Sequence, residues 1–341
     1  MFKSFIFILN SLAACLLLTL LVLSYVPPSS VPMVPSITLL TPVLLAVNGL
    51  FVLYWILSFS KKCLLSIITL LICTPFVLSF FQFNLKEKKE EAPSGTIKIL
   101  DFNSHNFCGI EDSSSFEKHF LEFIDEEDPD ILFFQEIYLR SFEGDFLETY
   151  KYNSTTTTKG IRQGANPIFS KFPIVNYGSV GMDDPSIGRN TLFADIKIGI
   201  NIVRCYNMHL TSYGLAKEAE ELKEKGAKTI ISRLNAVFKY QEQQTNKIIE
   251  HVKNSPYPII FCGDFNNMAF SYVYREIKSA GNLKDTFNEK GTGFGATHDF
   301  SYFPTRIDFT LVSDEIDVIS HKVIKTRGWS DHYPVISTIN L

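Results

Sequence analysis

The chain has 341 residues, 46% of them hydrophobic, and a formal net charge of −4. The average hides an uneven split: no Asp, Glu, Lys, Arg or His occurs from Ser4 to Ser60, whereas residues 92–341 carry 26 basic and 33 acidic side chains. That acidic balance argues against a strong non-specific nucleic-acid binder, whose affinity rests on many Lys and Arg contacts to phosphates, and leaves room for a nuclease with a local basic groove.

Three apolar segments of about 20 residues come first: Phe5–Val26, Ile37–Phe59 and Cys63–Leu85. Each is long enough to cross a hydrocarbon core, so the sequence predicts three transmembrane helices filling an anchor over residues 1–86. A cleaved signal peptide followed by a buried hairpin is the plainer alternative. No small-residue cleavage site follows Val26, and the later segments are equally long. The uncharged loop PPSSVPMVPS suits an outer face, and Lys61 and Lys62, in a very short loop, suit the inner one. The expectation is an N-terminus inside and a C-terminal domain outside the cytoplasm. Residues 87–95, charged and then bearing Pro and Gly, read as a linker to a domain over 96–341.

Within that domain, TIKILDFN reads as a strand, and SSFEKHFLEFIDEED as a helix with Phe116, Phe120, Phe123 and Ile124 at helical spacing. PDILFFQE reads as a buried strand. TLFADIKIGINIVRCYNMHL reads as two strands joined by a tight turn around Gly199. A long polar helix follows over about 215–253, with a possible break at Gly226, and PIIFCGDF, RIDFTLVS and HYPVISTI supply further strands. Many strands in hairpins, mixed with helices, predict a two-sheet α/β layout rather than a regular βα alternation. Cys205 and Cys262 lie in apolar runs and read as small core residues; no CxxC or Cys-His metal spacing occurs.

Polar residues recur where these apolar runs end: Asn103, Gln135 and Glu136, His209, Asp264 and Asn266, Asp308, and the adjacent Asp331 and His332. Any one of them has an ordinary reading as a solvated strand end. As a set they offer carboxylates, amides and imidazoles. A hard divalent cation such as Mg²⁺ takes oxygen ligands, which Glu136, with Asn103 and Asp331, can supply. Cleavage of a phosphate ester needs an activated water and charge relief, for which metal and imidazole both serve.

The ordered motifs LDFNSHNF, DILFFQEIY, GANPIFSKFPI, NMHLTS, IIFCGDFNN, RIDFTLVS and WSDHYPV resemble those of the endonuclease/exonuclease/phosphatase superfamily, over essentially all of 96–341. The resemblance implies an α/β fold with a four-layer, DNase I-like two-sheet β-sandwich flanked by helices. It implies Glu136 as principal metal ligand with Asn103 (or Asn106) and Asp331, and Mg²⁺ or Mn²⁺ as the ion. Asp264 would orient or deprotonate the attacking water, and Asn266 would hold that water or the phosphate. His209 would donate to a phosphoryl oxygen. His332, oriented by Asp308, would stabilise the transition state or act as base. Asn267 stands where the family often has Asp. Arg189 would contact substrate phosphate, although a solvated loop residue is its plainer reading, and His298 would border the pocket. His105, His119, His251 and His321 have no motif support and read as surface or packing residues.

With its apolar start the chain also resembles membrane-anchored members from Bacteroidetes-type bacteria, which implies an integral protein of the bacterial inner membrane with its catalytic domain on the periplasmic side. The expected substrate is a phosphate ester, either nucleic acid or a phospholipid or phosphometabolite, with no obligate protein partner. The competing expectation is a non-catalytic, membrane-tethered binding module that keeps a degenerate hydrolase fold.

Overall fold

The computed structural model describes residues 2–31, 34–84, 95–105, 113–137, 145–154, 166–180, 191–212, 227–299, 304–325 and 329–341. It divides into two compact units that do not follow the order of the chain. One comprises Met1–Phe81, Tyr213–Glu242 and Ala269–Arg275; the other comprises Gln82–Ser212, Gln243–Met268 and Glu276–Leu341.

The first unit holds the apolar helices Phe2–Leu23, Val34–Thr38, Thr41–Leu57, Cys63–Ile72 and Thr74–Phe80. The expectation of three transmembrane helices is corrected here. Among the described residues, only Phe2–Leu23 is by itself long and apolar enough to cross a membrane, or two spans result if the bent pair Cys63–Ile72 and Thr74–Phe80 counts as one. Prolines are the reason. Pro42 and Pro75 each fall in the first turn of a helix, where a missing N–H is tolerated, so each marks a start rather than an interior. The second segment is thereby cut to 17 residues, about 25 Å at 1.5 Å per residue against a core of about 30 Å. The third bends by 72° at Cys73.

Inside this unit, polar side chains pair with one another. Trp55 Nε1 donates to Asn10 Oδ1 (2.9 Å), Asn10 Nδ2 donates to Ser66 Oγ, and Ser66 Oγ donates to Asn48 Oδ1 (3.0 Å). All four residues are fully buried. Lys62 reaches Lys3 O (3.5 Å) and lies over the Phe7 ring, so both lysines sit at one end of the unit. Ser29 donates to both carboxylate oxygens of Glu242.

The second unit is a two-sheet sandwich. Its strands are β1 (Gln82–Phe83), β2 (Ile97–Asn103), β3 (Ile131–Gln135), β4 (Tyr152–Asn153), β5 (Ile168–Ser170), β6 (Ile174–Val180), β7 (Thr191–Ile198), β8 (Asn201–His209), β9 (Ile259–Asp264), β10 (Leu283–Asp285), β11 (Thr292–Gly293), β12 (Asp308–Ser313), β13 (Asp317–Val323) and β14 (Val335–Asn340). One sheet has the order β13-β14-β2-β3-β5-β4 and the other β10-β12-β9-β8-β7-β6; β1 and β11 form a separate pair. Two six-stranded mixed sheets flanked by helices match the expected α/β sandwich.

Side-chain alternation along β2 shows how the layers form. Ile97 and Ile99 join Ile131, Phe133, Ala194, Val203, Cys205 and Cys262 in the core between the sheets. Leu100 and Phe102 point the other way, against Phe120 and Ile124 of the helix Ser113–Glu127. The second sheet has an outer face too, where His251 of the helix Ala227–Lys253 packs on Phe193 and Tyr206. Central strands covered on both faces are buried almost without interruption, as β3, β9 and β12 are. The edge strand β6 is mostly exposed.

Candidate active site

Each sheet contains one parallel pair, β2 with β3 and β8 with β9. Parallel neighbours finish at the same edge. Asn103 is in register with Gln135, and His209 with Asp264, so four motif residues arrive together at the C-terminal ends of their strands. The antiparallel strand β12 begins at that edge, with Asp308 opposite Asp264. His332 enters just before β14, which pairs with β2.

The two sheets meet through polar side chains at this lip. Asn103 Nδ2 donates to Asp264 Oδ2 at 3.1 Å. His209 Nε2 lies 3.3 Å from Glu136 Oε1 and 3.7 Å from Asp264 Oδ2. His332 Nδ1 meets the two oxygens of Asp308 at 3.0 and 2.9 Å, while its Nε2 lies 3.8 Å from Asp264 Oδ2. Asn266 donates from Nδ2 to Asp264 Oδ2 (3.0 Å) and Leu210 O (2.9 Å), and its backbone N–H donates to Asp264 Oδ1 (2.6 Å). The structure therefore gathers Asn103, Glu136, His209, Asp264, Asn266, Asp308 and His332 on one lip. Asn106 and Arg189 lie outside the described residues.

Asp331 and His332, though adjacent, diverge. His332 turns inward to Asp308, whereas the exposed Asp331 accepts from His105 Nδ1 (3.0 Å) and faces His298 Nε2 (3.7 Å). Strain marks the same lip. Glu136 and Asn266 are non-glycine residues with φ of 49° and 45°, in a left-handed region that surrounding structure must enforce. Ser104 Oγ contributes to that hold on Glu136 by donating to its carbonyl (2.7 Å).

Beneath the lip lies a polar layer to which the sequence reading gave no role. Gln135 Nε2 donates to Asp101 Oδ1 (2.8 Å) and Asn207 Oδ1 (2.7 Å), and Asn207 Nδ2 donates to Phe134 O and Pro167 O, both at 2.9 Å. The Gly263 N–H donates to Asp101 Oδ2 (3.1 Å). Only glycine serves there, since its φ is +135° and a Cβ would stand 2.0 Å from Met208 O. The signal for Asp101 and Asn207 is in the sequence: each stands two positions before a motif residue and so on the same face of its strand.

Burial, with Asp308 nearby, pushes the Asp264 carboxyl up to about 7, and the same causes hold Asp101 well above the usual carboxylate range. Burial works against the charged form of His332, but Asp308, Asp264 and Asp331 together outweigh it and push the imidazole up to about 10. Asp331 moves downward, because hydrogen bonds from His105 and His298 outweigh its burial.

Oxygen donors at the lip fit a hard divalent ion. Mg²⁺ needs one or two carboxylates and fills its remaining positions with water, and the partly exposed Glu136 side chain, with Asn103 at the neighbouring strand end, offers that set. Two further groups bring three donor atoms within 4.8 Å of one another: Asp264, Asp308 and His332, and His298, Asp331 and His332.

Imidazoles and carboxylates crowded at one lip of a two-sheet sandwich belong to the class of hydrolases that act on phosphate esters. The profile of the Endonuclease/Exonuclease/phosphatase family matches residues 102–332, and the chain belongs to that family. A second profile, for a domain of unknown function, matches residues 3–80. No curated protein matches the sequence.

Solved structures share the fold. An endonuclease/exonuclease/phosphatase from Bacteroides vulgatus is 19% identical, with a TM-score of 0.54 over 72% of this chain and 99% of the other. The human Nocturnin catalytic domain with bound sulfate is 16% identical, with a TM-score of 0.53 over 72% and 93%. A mannosyl-6-phosphatase from Bacteroides thetaiotaomicron is 18% identical, with a TM-score of 0.52 over 72% and 100%.

Proposed function

We propose that the chain is a membrane-anchored, divalent-metal-dependent phosphoesterase that hydrolyses a phosphodiester or phosphomonoester by direct attack of water. One observation carries this reading: His332 is clamped by Asp308 on one nitrogen and turns the other toward Asp264, beside His209 and Glu136. A Mg²⁺ or Mn²⁺ ion held by Glu136, with Asn103 and Asp331 near it, supplies charge relief to the phosphoryl oxygens when bound.

The residues of the chain divide the remaining work. Asp264, with its carboxyl raised to about 7, is a base near neutrality and takes the proton of the attacking water. His332, a cation at neutral pH, donates from Nε2 to the phosphoryl oxygen on which charge grows, and Asp308 holds its tautomer and aim. His209 donates to a second phosphoryl oxygen. Asn266 positions Asp264, using its backbone N–H and its amide on that carboxylate. Arg189 is proposed to bind substrate phosphate.

Anchoring is supported by the helix Phe2–Leu23, whose exposed Ile8, Leu12 and Leu16 give it an apolar outer side. Lys3 and Lys62 at one end of the apolar unit favour a cytoplasmic N-terminus and a phosphoesterase domain beyond a bacterial inner membrane. The acidic balance of residues 92–341 favours a phospholipid or phosphorylated metabolite over nucleic acid. The mannosyl-6-phosphatase among the structural neighbours adds a sugar phosphate to the candidates.

The test is a hydrolysis screen of the full chain with Mg²⁺ or Mn²⁺ against plasmid DNA, oligonucleotides, sphingomyelin, phosphatidylinositol phosphates, sugar phosphates and aryl phosphodiesters. Metal-dependent turnover of at least one, abolished in Glu136→Gln, is the expected result. A folded chain inert on the whole panel favours the degenerate binding module instead.

A further inference from the structure

Two imidazoles, His105 and His298, have no part in the proposed chemistry, yet both close on Asp331. His298 is bridge partner to both Thr305 and His332. Its Nδ1 meets Thr305 Oγ1 at 3.4 Å, which turns Nε2 to within 3.7 Å of Asp331 Oδ2. The His298 and His332 rings meet edge to face with centroids 4.8 Å apart. One donor atom each from His298, Asp331 and His332 lies within 4.8 Å of the other two.

Each of the three is also held from behind. Thr305 backs His298, and Asp308 backs His332 at 2.9 Å. Asp331 Oδ1 accepts from His105 at 3.0 Å and from Ser330 Oγ at 3.2 Å, which leaves Oδ2 on the side of His298. Metal-ligating side chains ordinarily have such outer partners, which fix tautomer and direction. Two nitrogens and one oxygen are a different donor chemistry from the oxygen set at Glu136. Imidazole suits Zn²⁺, Co²⁺ and Ni²⁺, whereas Mg²⁺ keeps to oxygen and water.

We propose that His298, Asp331 and His332 form a second divalent-ion site, selective for a transition metal with nitrogen affinity over Mg²⁺. An ion held there takes a ring nitrogen of His332 and so draws that side chain away from its proposed role at the phosphoryl oxygen, and such an ion inhibits Mg²⁺-supported hydrolysis. The inhibitory consequence rests on the phosphoesterase reading; the site itself rests on geometry alone.

The test uses the full chain in detergent, stripped by chelator, saturated with Mg²⁺ and titrated with Co²⁺. Visible absorption of nitrogen-ligated Co²⁺ is expected to saturate at one ion per chain. His298→Ala should weaken that binding at least tenfold while keeping Mg²⁺-supported turnover of an aryl phosphodiester. In parallel, Zn²⁺ should inhibit the parent chain at concentrations at least tenfold lower than it inhibits His298→Ala. His298→Gln repeats the measurement with a bulkier side chain should the alanine variant fold poorly. A Co²⁺ spectrum that is unchanged in either folded variant overturns the site, and does so alone if hydrolysis persists. A nitrogen-ligated signal lost with His298, in a chain that hydrolyses nothing, keeps the site and removes the phosphoesterase reading.

Discussion

Two buried polar clusters, one in each unit, make an instructive contrast. Asn10, Asn48, Ser66 and Trp55 form a neutral network in which amides, a hydroxyl and an indole satisfy one another. Asp101, Asp264, Asp308 and His332 are just as buried, but they are titratable, and the three carboxylates crowd one another. The neutral cluster fixes how helices pack in apolar surroundings. The charged one raises two carboxyls and an imidazole out of their ordinary ranges, next to left-handed backbone at Glu136 and Asn266. Buried polarity alone therefore marks specific packing. Chemistry is marked by like charges held together beside strained backbone.

The sharpest way to break this contrast is to remove the charged member that is proposed to act on substrate. His332→Ala should lower kcat on an aryl phosphodiester by about 10²–10⁴-fold, the usual contribution of a positioned acid or base, with far-UV circular dichroism unchanged. Near-wild-type turnover would refute the assigned site. Next in size is Gly263→Ala. Its Cβ collides with the Met208 carbonyl, one register pair before His209 and Asp264, and a loss on the order of 3 kcal/mol is expected from backbone strain of this kind. Denaturant unfolding measures it, and an unchanged midpoint would mean that the strands yield freely.

In the neutral cluster, Asn10→Ala leaves the Trp55 N–H without its acceptor. A loss of about 1–3 kcal/mol follows for an unsatisfied buried group, read as a lower Tm in detergent. Turnover of a water-soluble ester should stay the same; a matching fall in kcat would show that the two clusters are not separate in function. A further effect concerns pH. His332 holds its proton to about pH 10 in the fold, against 6.5 ordinarily. The stability it contributes is whole below pH 6.5 and is lost as pH rises towards 10. Metal-free unfolding midpoints should fall across that window in the parent chain and not in His332→Gln, and equal slopes would deny the shift.

Much of the sandwich is legible in the sequence because its central strands are continuous apolar runs that end on polar residues. DILFFQE and IIFCGDF announce both the strand and the side chain at its tip. The hairpin at Gly199 is equally clear, with β7 and β8 meeting at Ile198 and Asn201. The spans misled for a physical reason. Hydropathy counts Pro42 and Pro75 as two residues among many, while the backbone treats them as places to begin a new helix. Asp101 and Asn207 carry a positional signal two residues before a motif residue, but nothing along the strand says what each meets on the facing sheet. The sequence places His298 at the pocket border, but its bridge to His332 is a contact between loops that spacing along the chain does not encode.

The seating of β14 between β13 and β2 has a consequence for how the enzyme comes into being. The strand that delivers His332 closes against one that begins at Ile97, so the hydrolytic centre is assembled from pieces far apart along the polypeptide. Contacts of such long sequence separation form slowly, since a large loop must close before they are rewarded. Until β14 seats, the phosphate-ester site proposed above lacks His332, and a partly folded chain carries an inert hydrolase.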